Sequence, residues 1–280
     1  MSRTSRLSFI GVAAITISLL APGLASANNS WGGYHWARTA NPFTLKLGNN
    51  VSGAWSSYLG TTSSDWSLSS MLDTTIVAGG TSGRKCRAVT GRVEVCSAAY
   101  GNNGWLGLAS ISITGGQHIT TGTVKVNDTY FNTASYNTPA WRNLVMCQEV
   151  GHTLGLDHQD ELFNNANLGT CMDYTNSPES NQHPNAHEYA QLESIYGHLD
   201  ATTTLGAAVP GGPGKPGAAG AADGGSGAAG GSGAADGGAA VAADAADWGR
   251  LVSSSHDGRL STFVKDLGAG ELIVTIIIWA

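Results

Sequence analysis

From residue 206 to residue 245 the chain is built almost wholly of Gly, Ala, Ser, Asp and Pro, with runs such as Gly211-Gly212-Pro213-Gly214 and Gly230-Gly231-Ser232-Gly233. Such a stretch has too little apolar surface to offset the entropy of ordering it, so it reads as a flexible linker. Whatever folds must lie before it or in the short segment 246–280 behind it. At the other end, Arg3 and Arg6 precede an almost uncharged run from Leu7 to Leu20, and Ala25-Ser26-Ala27 carries the small-x-small pattern of a signal-peptidase site. The run is short for a bilayer span of about 20 residues and stops at Pro22-Gly23, so residues 1–27 read as a secretory signal peptide and not as an anchor. The expectation is a secreted, extracellular protein with no membrane span after signal removal. Its main folded unit is residues 28–205, ordered from about 31 to 200, which is long enough to bury about two thirds of its surface.

Losing Arg3 and Arg6 takes the formal charge from -6 to -8. With no basic patch in view, nucleic acid is excluded as a partner. Four cysteines in an exported chain allow two disulfides in three connectivities, and their positions suggest one. Cys86 and Cys96 bracket an expected hairpin, while Cys147 and Cys171 flank the two motifs described below. The alternative of free or zinc-binding thiols lacks any CxxC pair. Strand patterns are read at Phe43–Leu47, Asp73–Ala78, Val89–Val95, Leu106–Ile113 and Thr121–Val126, with a helix over Val51–Trp66. Pro139 suits the first turn of a helix that runs through Trp141–Leu154 and stops at Gly155. A last helix is expected over Pro184–Gly197. Behind the linker, Arg259–Val264 and Leu272–Trp279 give two or three strands, a short β tail that docks on the main domain or pairs with another chain. The fold class is α+β, with a small twisted mixed sheet.

The densest chemistry lies in Gln148-Glu149-Val150-Gly151-His152, followed by Gly155 and His158. Residues four apart share a helix face, so Gln148 and His152 converge on one point while Glu149 is displaced to the side. Gly155 permits the sharp turn that returns His158 as a third ligand. Three protein ligands leave zinc an open position for water, whose pKa falls toward about 7, and Glu149 is the candidate general base for attack on a peptide carbonyl.

This run resembles the metzincin zinc peptidases, whose signature is H-E-x-x-H-x-x-G-x-x-H followed by a Met-turn, at every specified position except the first, where Gln148 stands. Gly151–His158 and Ala186–Gly197 look like the matrixin branch, and Cys171-Met172-Asp173-Tyr174 matches a Met-turn. The resemblance covers about residues 31–198 and implies a metzincin-like catalytic domain with an active-site helix, a Met-turn and a C-terminal helix. It also implies one catalytic Zn2+ ion and a secreted metalloendopeptidase activity. Met172 would form the floor beneath the metal and Tyr174 would approach the metal or the oxyanion. The strand Trp105–Ile113 would form the cleft rim and pair with an extended polypeptide substrate, Leu106-Gly107-Leu108-Ala109 lining it. Matrixins also carry structural zinc and Ca2+ before the active-site helix, but only His118 and Asp128 stand in residues 101–130, so those ions are not carried over.

Gln148 is neutral like histidine, but an amide oxygen is a poorer zinc ligand than imidazole. Either Gln148 ligates zinc and the enzyme works with a weakened site, or the site is metal-poor and the fold is a catalytically inactive binding module; a third option has His183 or His187 standing in. The retention of Glu149, His152, Gly155, His158 and Met172 favours the first. His35 and His118 show no partner at ligand spacing, and His198 follows a helix end, where a cation is favourable. Asp157, Asp160 and Glu161 read as a solvated acidic rim beside His158, with orienting the third ligand or holding a cation as the alternatives. There is no room for a pro-domain between Asn28 and the first strand, so control of latency falls to another part of the chain, such as the tail.

Overall fold

The computed structural model describes residues 29–206 and 247–280. The expected signal peptide and all of the expected linker beyond Gly206 lie outside the described residues. The elements in order are β1 (His35–Trp36), β2 (Phe43–Asn50), α1 (Ser56–Trp66), β3 (Leu72–Ala78), β4 (Val93–Ala98), β5 (Trp105–Thr114) and β6 (His118–Asn127). They continue with α2 (Asp128–Phe131), α3 (Pro139–Thr153), a 3-10 turn at Pro178–Ser180, α4 (Ala186–Tyr196), β7 (Arg250–Ser254), β8 (Leu260–Gly268) and β9 (Glu271–Trp279).

These make a mixed α+β fold on one sheet in the order β3-β2-β4-β6-β5-β9-β8-β7, with β1 pairing β6 off this path. The pairs among β2, β3, β4 and β6 are parallel, whereas β5 runs antiparallel to β6. Alternation sets the faces: on β2, Phe43, Leu45 and Leu47 are buried while Thr44 and Lys46 are exposed. Helix α3 starts where Thr138 accepts from the Trp141 N–H and Pro139 takes the first turn. It is buried on nearly every side, which is why its polar residues stand out. Helix α4 is held at its start by a capping box between Asn185 and Glu188.

Several expectations are corrected here. Helix α1 begins at Ser56 and not Val51, because Ser52 and Gly53 form turns that end at Trp55 and Ser56. The strand expected over Val89–Val95 lies at Val93–Ala98, because Gly91 takes a left-handed φ of 80° and its N–H turns to Thr120 O. Cys86 and Cys96 are bonded but enclose no hairpin: Cys86 sits in the loop after β3, and the bond ties that loop to β4. The second disulfide joins Cys147 and Cys171.

The sheet is also larger than the small one expected, because the C-terminal strands join it. β9 pairs antiparallel with β5 from Trp105↔Trp279 to Ile113↔Leu272, and β8 and β7 extend the ladder. The period of two explains how it docks. Val274, Ile276, Ile278 and Leu260 enter the main core on the α3 side of the sheet. Ile277 and Phe263 form a second cluster with Trp105 and Leu108 on the other. The edge of β5, expected to be free for an extended substrate, is therefore occupied by the chain itself.

Candidate active site

The last turns of α3 carry Gln148, Glu149 and His152, and the chain then reverses at Gly155. Only glycine fits there: φ is 90°, and a Cβ would lie 2.1 Å from Tyr34 O. The reversal is fastened by the first described residues, with Trp31 N–H donating to Gly155 O at 2.9 Å and Asp157 N–H to Asn29 O at 2.7 Å. It returns His158 beneath His152, so that their Nε2 atoms face each other at 3.0 Å.

That spacing is informative. His152 Nδ1 lies 2.9 Å from Leu156 O, which can only accept, so the proton of a neutral ring sits on Nδ1 and the Nε2 lone pair points at His158. Burial, followed by the neighbouring His158, lowers the His152 pKa to about 3 and keeps the ring in its ligating form. Two nitrogens held about 2.0–2.1 Å from one tetrahedral ion stand about 3.3 Å apart, close to what is found. His158 is steadied from behind by Asp157, whose Oδ1 accepts from the His158 N–H at 2.8 Å and lies 3.5 Å from Nδ1. Asp157 thus lies where it can orient the third ligand, as the sequence allowed for this acidic rim. Asp160 is used locally, accepting from Leu162 N–H and Asn165 Nδ2.

Gln148, Glu149, His152 and Tyr174 are each 1% exposed and His158 is 7% exposed, so the cluster is shut off from solvent. Within it, both amide atoms of Gln148, Glu149 Oε2 and the Tyr174 hydroxyl have no hydrogen-bond partner among the described residues. Each such orphan costs about 1–3 kcal/mol if it stays unmet. A buried amide with neither end satisfied leaves Oε1 available to a ligand. Burial raises the Glu149 carboxyl well above its ordinary range, and burial, then the Glu149 charge, does the same to the Tyr174 phenol. Glu149 rests against β5: a Cβ on Gly107 would lie 2.6 Å from its Oε1. The glycine in Leu106-Gly107-Leu108 is thus the gap that admits the carboxylate.

Met172 is fully buried, and its Sδ would be 2.7 Å from a Cβ on Gly151, one residue before His152 on α3. Tyr174 stacks on His158, with centroids 4.4 Å apart and planes 21° apart. Phe163, which the sequence reading missed, stacks on the other side of Tyr174 at 4.6 Å. The stack ends in the tail. The Arg259 guanidinium lies 4.4 Å over Phe163, and Arg259 also donates to Asn176 Oδ1. Nothing in the local pattern around Phe163 marked it, since its partners come from two distant segments.

His183 and His187 are not brought to this cluster: His183 Nδ1 pairs with Asp65 Oδ2 at 2.7 Å, and His187 opens α4 beside Glu188. His35 and His118, expected to lack partners at ligand spacing, instead meet around Asp200 with His198, the histidine that follows α4.

No protein-family model and no curated protein matches the chain. Among solved structures, it is similar to myroilysin in two determinations, both at 13% identity. One has a TM-score of 0.34 and covers 57% of this chain and 82% of that one; the other has a TM-score of 0.33 and covers 58% and 86%. It is also similar to high choriolytic enzyme 1, a hatching-enzyme zinc protease from the medaka fish Oryzias latipes, at 9% identity and a TM-score of 0.35, over 61% of this chain and 98% of that one.

Proposed function

We propose that this chain is a secreted zinc metalloendopeptidase of the metzincin type, described here in a form closed by its own C-terminal strands. The observation that carries the reading is the facing pair of His152 and His158 Nε2 atoms, buried at the end of the helix that also carries the unpartnered amide of Gln148 and the unpartnered oxygen of Glu149. Gln148, His152 and His158 would hold the zinc. When bound, zinc supplies the Lewis acidity that acidifies water and polarises a peptide carbonyl.

The chain's own residues do the rest. Glu149, pressed against Gly107 in a dry pocket, is a carboxylate with an elevated proton affinity, as a general base needs to take a proton from water and pass it to a leaving amine. Tyr174 keeps the His158 ring in plane by stacking and has a free hydroxyl to donate toward a developing oxyanion. Met172 packs under α3 and holds the helix at its height. Two disulfides, one of them fastening the active-site helix to the Met172 segment, suit an exported protein.

A substrate aligned along β5 would use the backbone groups that β9 now uses, and Arg259 covers the aromatic stack leading to His158. The described form is therefore a latent one, and catalysis requires β9 to leave β5. A test combines both halves: in a chain whose tail is undocked, zinc-dependent hydrolysis of peptides should appear and be abolished by Glu149→Ala. An undocked, zinc-loaded chain that binds peptides but never cleaves them would assign the fold to a binding module instead.

A further inference from the structure

A second cluster of metal-ligating side chains lies outside the candidate active site. Four residues from three separate segments meet there: His35 on β1, His118 at the start of β6, and His198 and Asp200 just after α4. Asp200 Oδ1 lies 3.4 Å from His35 Nε2, 3.3 Å from His118 Nε2 and 3.7 Å from His198 Nε2, and the His35 and His198 Nε2 atoms are 3.2 Å apart. Four ligand atoms at about 2.0–2.1 Å from a tetrahedral ion have edges of about 3.3 Å; the ligand atoms of His35, His198 and Asp200 all lie within 4.8 Å of one another, and His118 touches the same Asp200 oxygen from outside that group.

The hydrogen bonds around the cluster say the same. His35 Nδ1 is 2.8 Å from Gly33 O, an acceptor, so a neutral His35 carries its proton on Nδ1 and turns a bare lone pair toward the carboxylate oxygen. A lone pair, a carboxylate oxygen and a second ring nitrogen so close together call for a proton or a metal ion between them. The other oxygen, Asp200 Oδ2, is already committed: it accepts from the Arg38 backbone N–H at 3.1 Å and from Arg38 Nη1 at 2.9 Å, leaving Oδ1 to the histidines. Arg38 is itself 1% exposed and anchored on Tyr196 O. Both His35 and Asp200 thus have the supporting hydrogen bonds that orient metal ligands.

We propose that His35, His198 and Asp200 form a structural zinc site, which His118, already in contact with Asp200 Oδ1, closes as the fourth ligand. Three imidazoles and one carboxylate suit zinc in four coordination, whereas calcium would demand six or more oxygens. With all four positions filled by protein there is no place for substrate. The ion's work is to clip the start of the domain to its end. His35 sits in the segment whose Trp31 and Asn29 fasten the reversal before His158, and Ala37 is bonded in both directions to Thr204. Losing the clip would free the segment on which the His158 turn leans.

The test is zinc content, by elemental analysis after dialysis against metal-free buffer and restoration of zinc. It is made on the full chain and on the double variant His152→Ala/His158→Ala, which removes the active-site ligands. The double variant should keep about one zinc per chain and lose it when His118→Ala, a partly exposed position, is added. Cobalt in place of zinc should give the double variant the intense visible bands of a tetrahedral ion, and its melting temperature should rise when zinc is added. A double variant that retains native circular dichroism but holds neither zinc nor cobalt overturns the proposal. A wild-type chain with one zinc that survives His152→Ala but not His118→Ala supports this site and removes the active-site reading, so the two claims fail separately.

Discussion

The closed form makes a quantitative prediction about Ile276. This side chain is 1% exposed, faces the main core from the middle of β9, and pairs in register with Ala109 of β5 and Thr262 of β8. Ile276→Asp forfeits about 2 kcal/mol of apolar burial and adds several kcal/mol for desolvating a carboxylate with no partner. A total near 5 kcal/mol, at 1.4 kcal/mol per factor of ten, shifts the docking equilibrium by about 10^3 to 10^4. That is enough to turn a chain with one open molecule in a thousand into one that is mostly open. Ile276 suits the purpose better than Ile278, which pairs with Gly107 and would bring the new charge toward Glu149. The assay is hydrolysis of a fluorogenic peptide by zinc-loaded protein, read beside hydrogen exchange of the β5 amides bonded to β9. The expected result is faster exchange in β5 together with a rise in hydrolysis of about 10^3-fold. Leu251→Asp, on exposed β7, adds the same charge and should move stability by no more than about 0.5 kcal/mol and leave activity alone. Fast exchange in β5 with an otherwise native melting curve and no gain in hydrolysis would refute the reasoning.

Other outcomes follow from the site. Gln148→His should tighten zinc by at least about 10 to 100-fold in a chelator competition, since imidazole replaces an amide oxygen. Gly107→Ala places a methyl 2.6 Å from Glu149 Oε1 and 2.7 Å from Val145 Cγ1; on the Ile276→Asp background it should lower kcat about 10^2-fold with little change in KM, and cost about 1–3 kcal/mol in denaturant unfolding. Replacing Cys147 and Cys171 by Ala opens a loop with a sequence separation of 24 and should cost about 2–4 kcal/mol, measured the same way.

What was legible in the sequence was local. Pro139 and Gly155 bracket α3 because their signals act within one turn of themselves, and Asn185 with Glu188 marks the start of α4 for the same reason. The spacing from Gln148 to His158 needed only a helix and a reversal, both of which it encodes. The apolar run Leu272–Trp279 identified a strand but not its partner, because any free edge satisfies a strand and the choice of β5 depends on the whole sheet. The meeting of His35, His118, His198 and Asp200 was hidden by distance, since His35 and Asp200 are 165 residues apart and only the sheet order joins them. Cys86 was misplaced because a loop and a hairpin offer the same spacing to Cys96. Gly107, by contrast, was readable: a glycine inside an apolar strand signals a close approach, here by Glu149.

The central claim is that Gln148 completes a zinc site with His152 and His158. Its most direct test is the zinc content of the His118→Ala variant, which lacks the other proposed centre, measured against the same variant carrying Gln148→Ala. The account predicts about one zinc per chain in the first and its loss or marked weakening in the second. A folded His118→Ala chain that holds no zinc even when the metal is supplied in excess would contradict it.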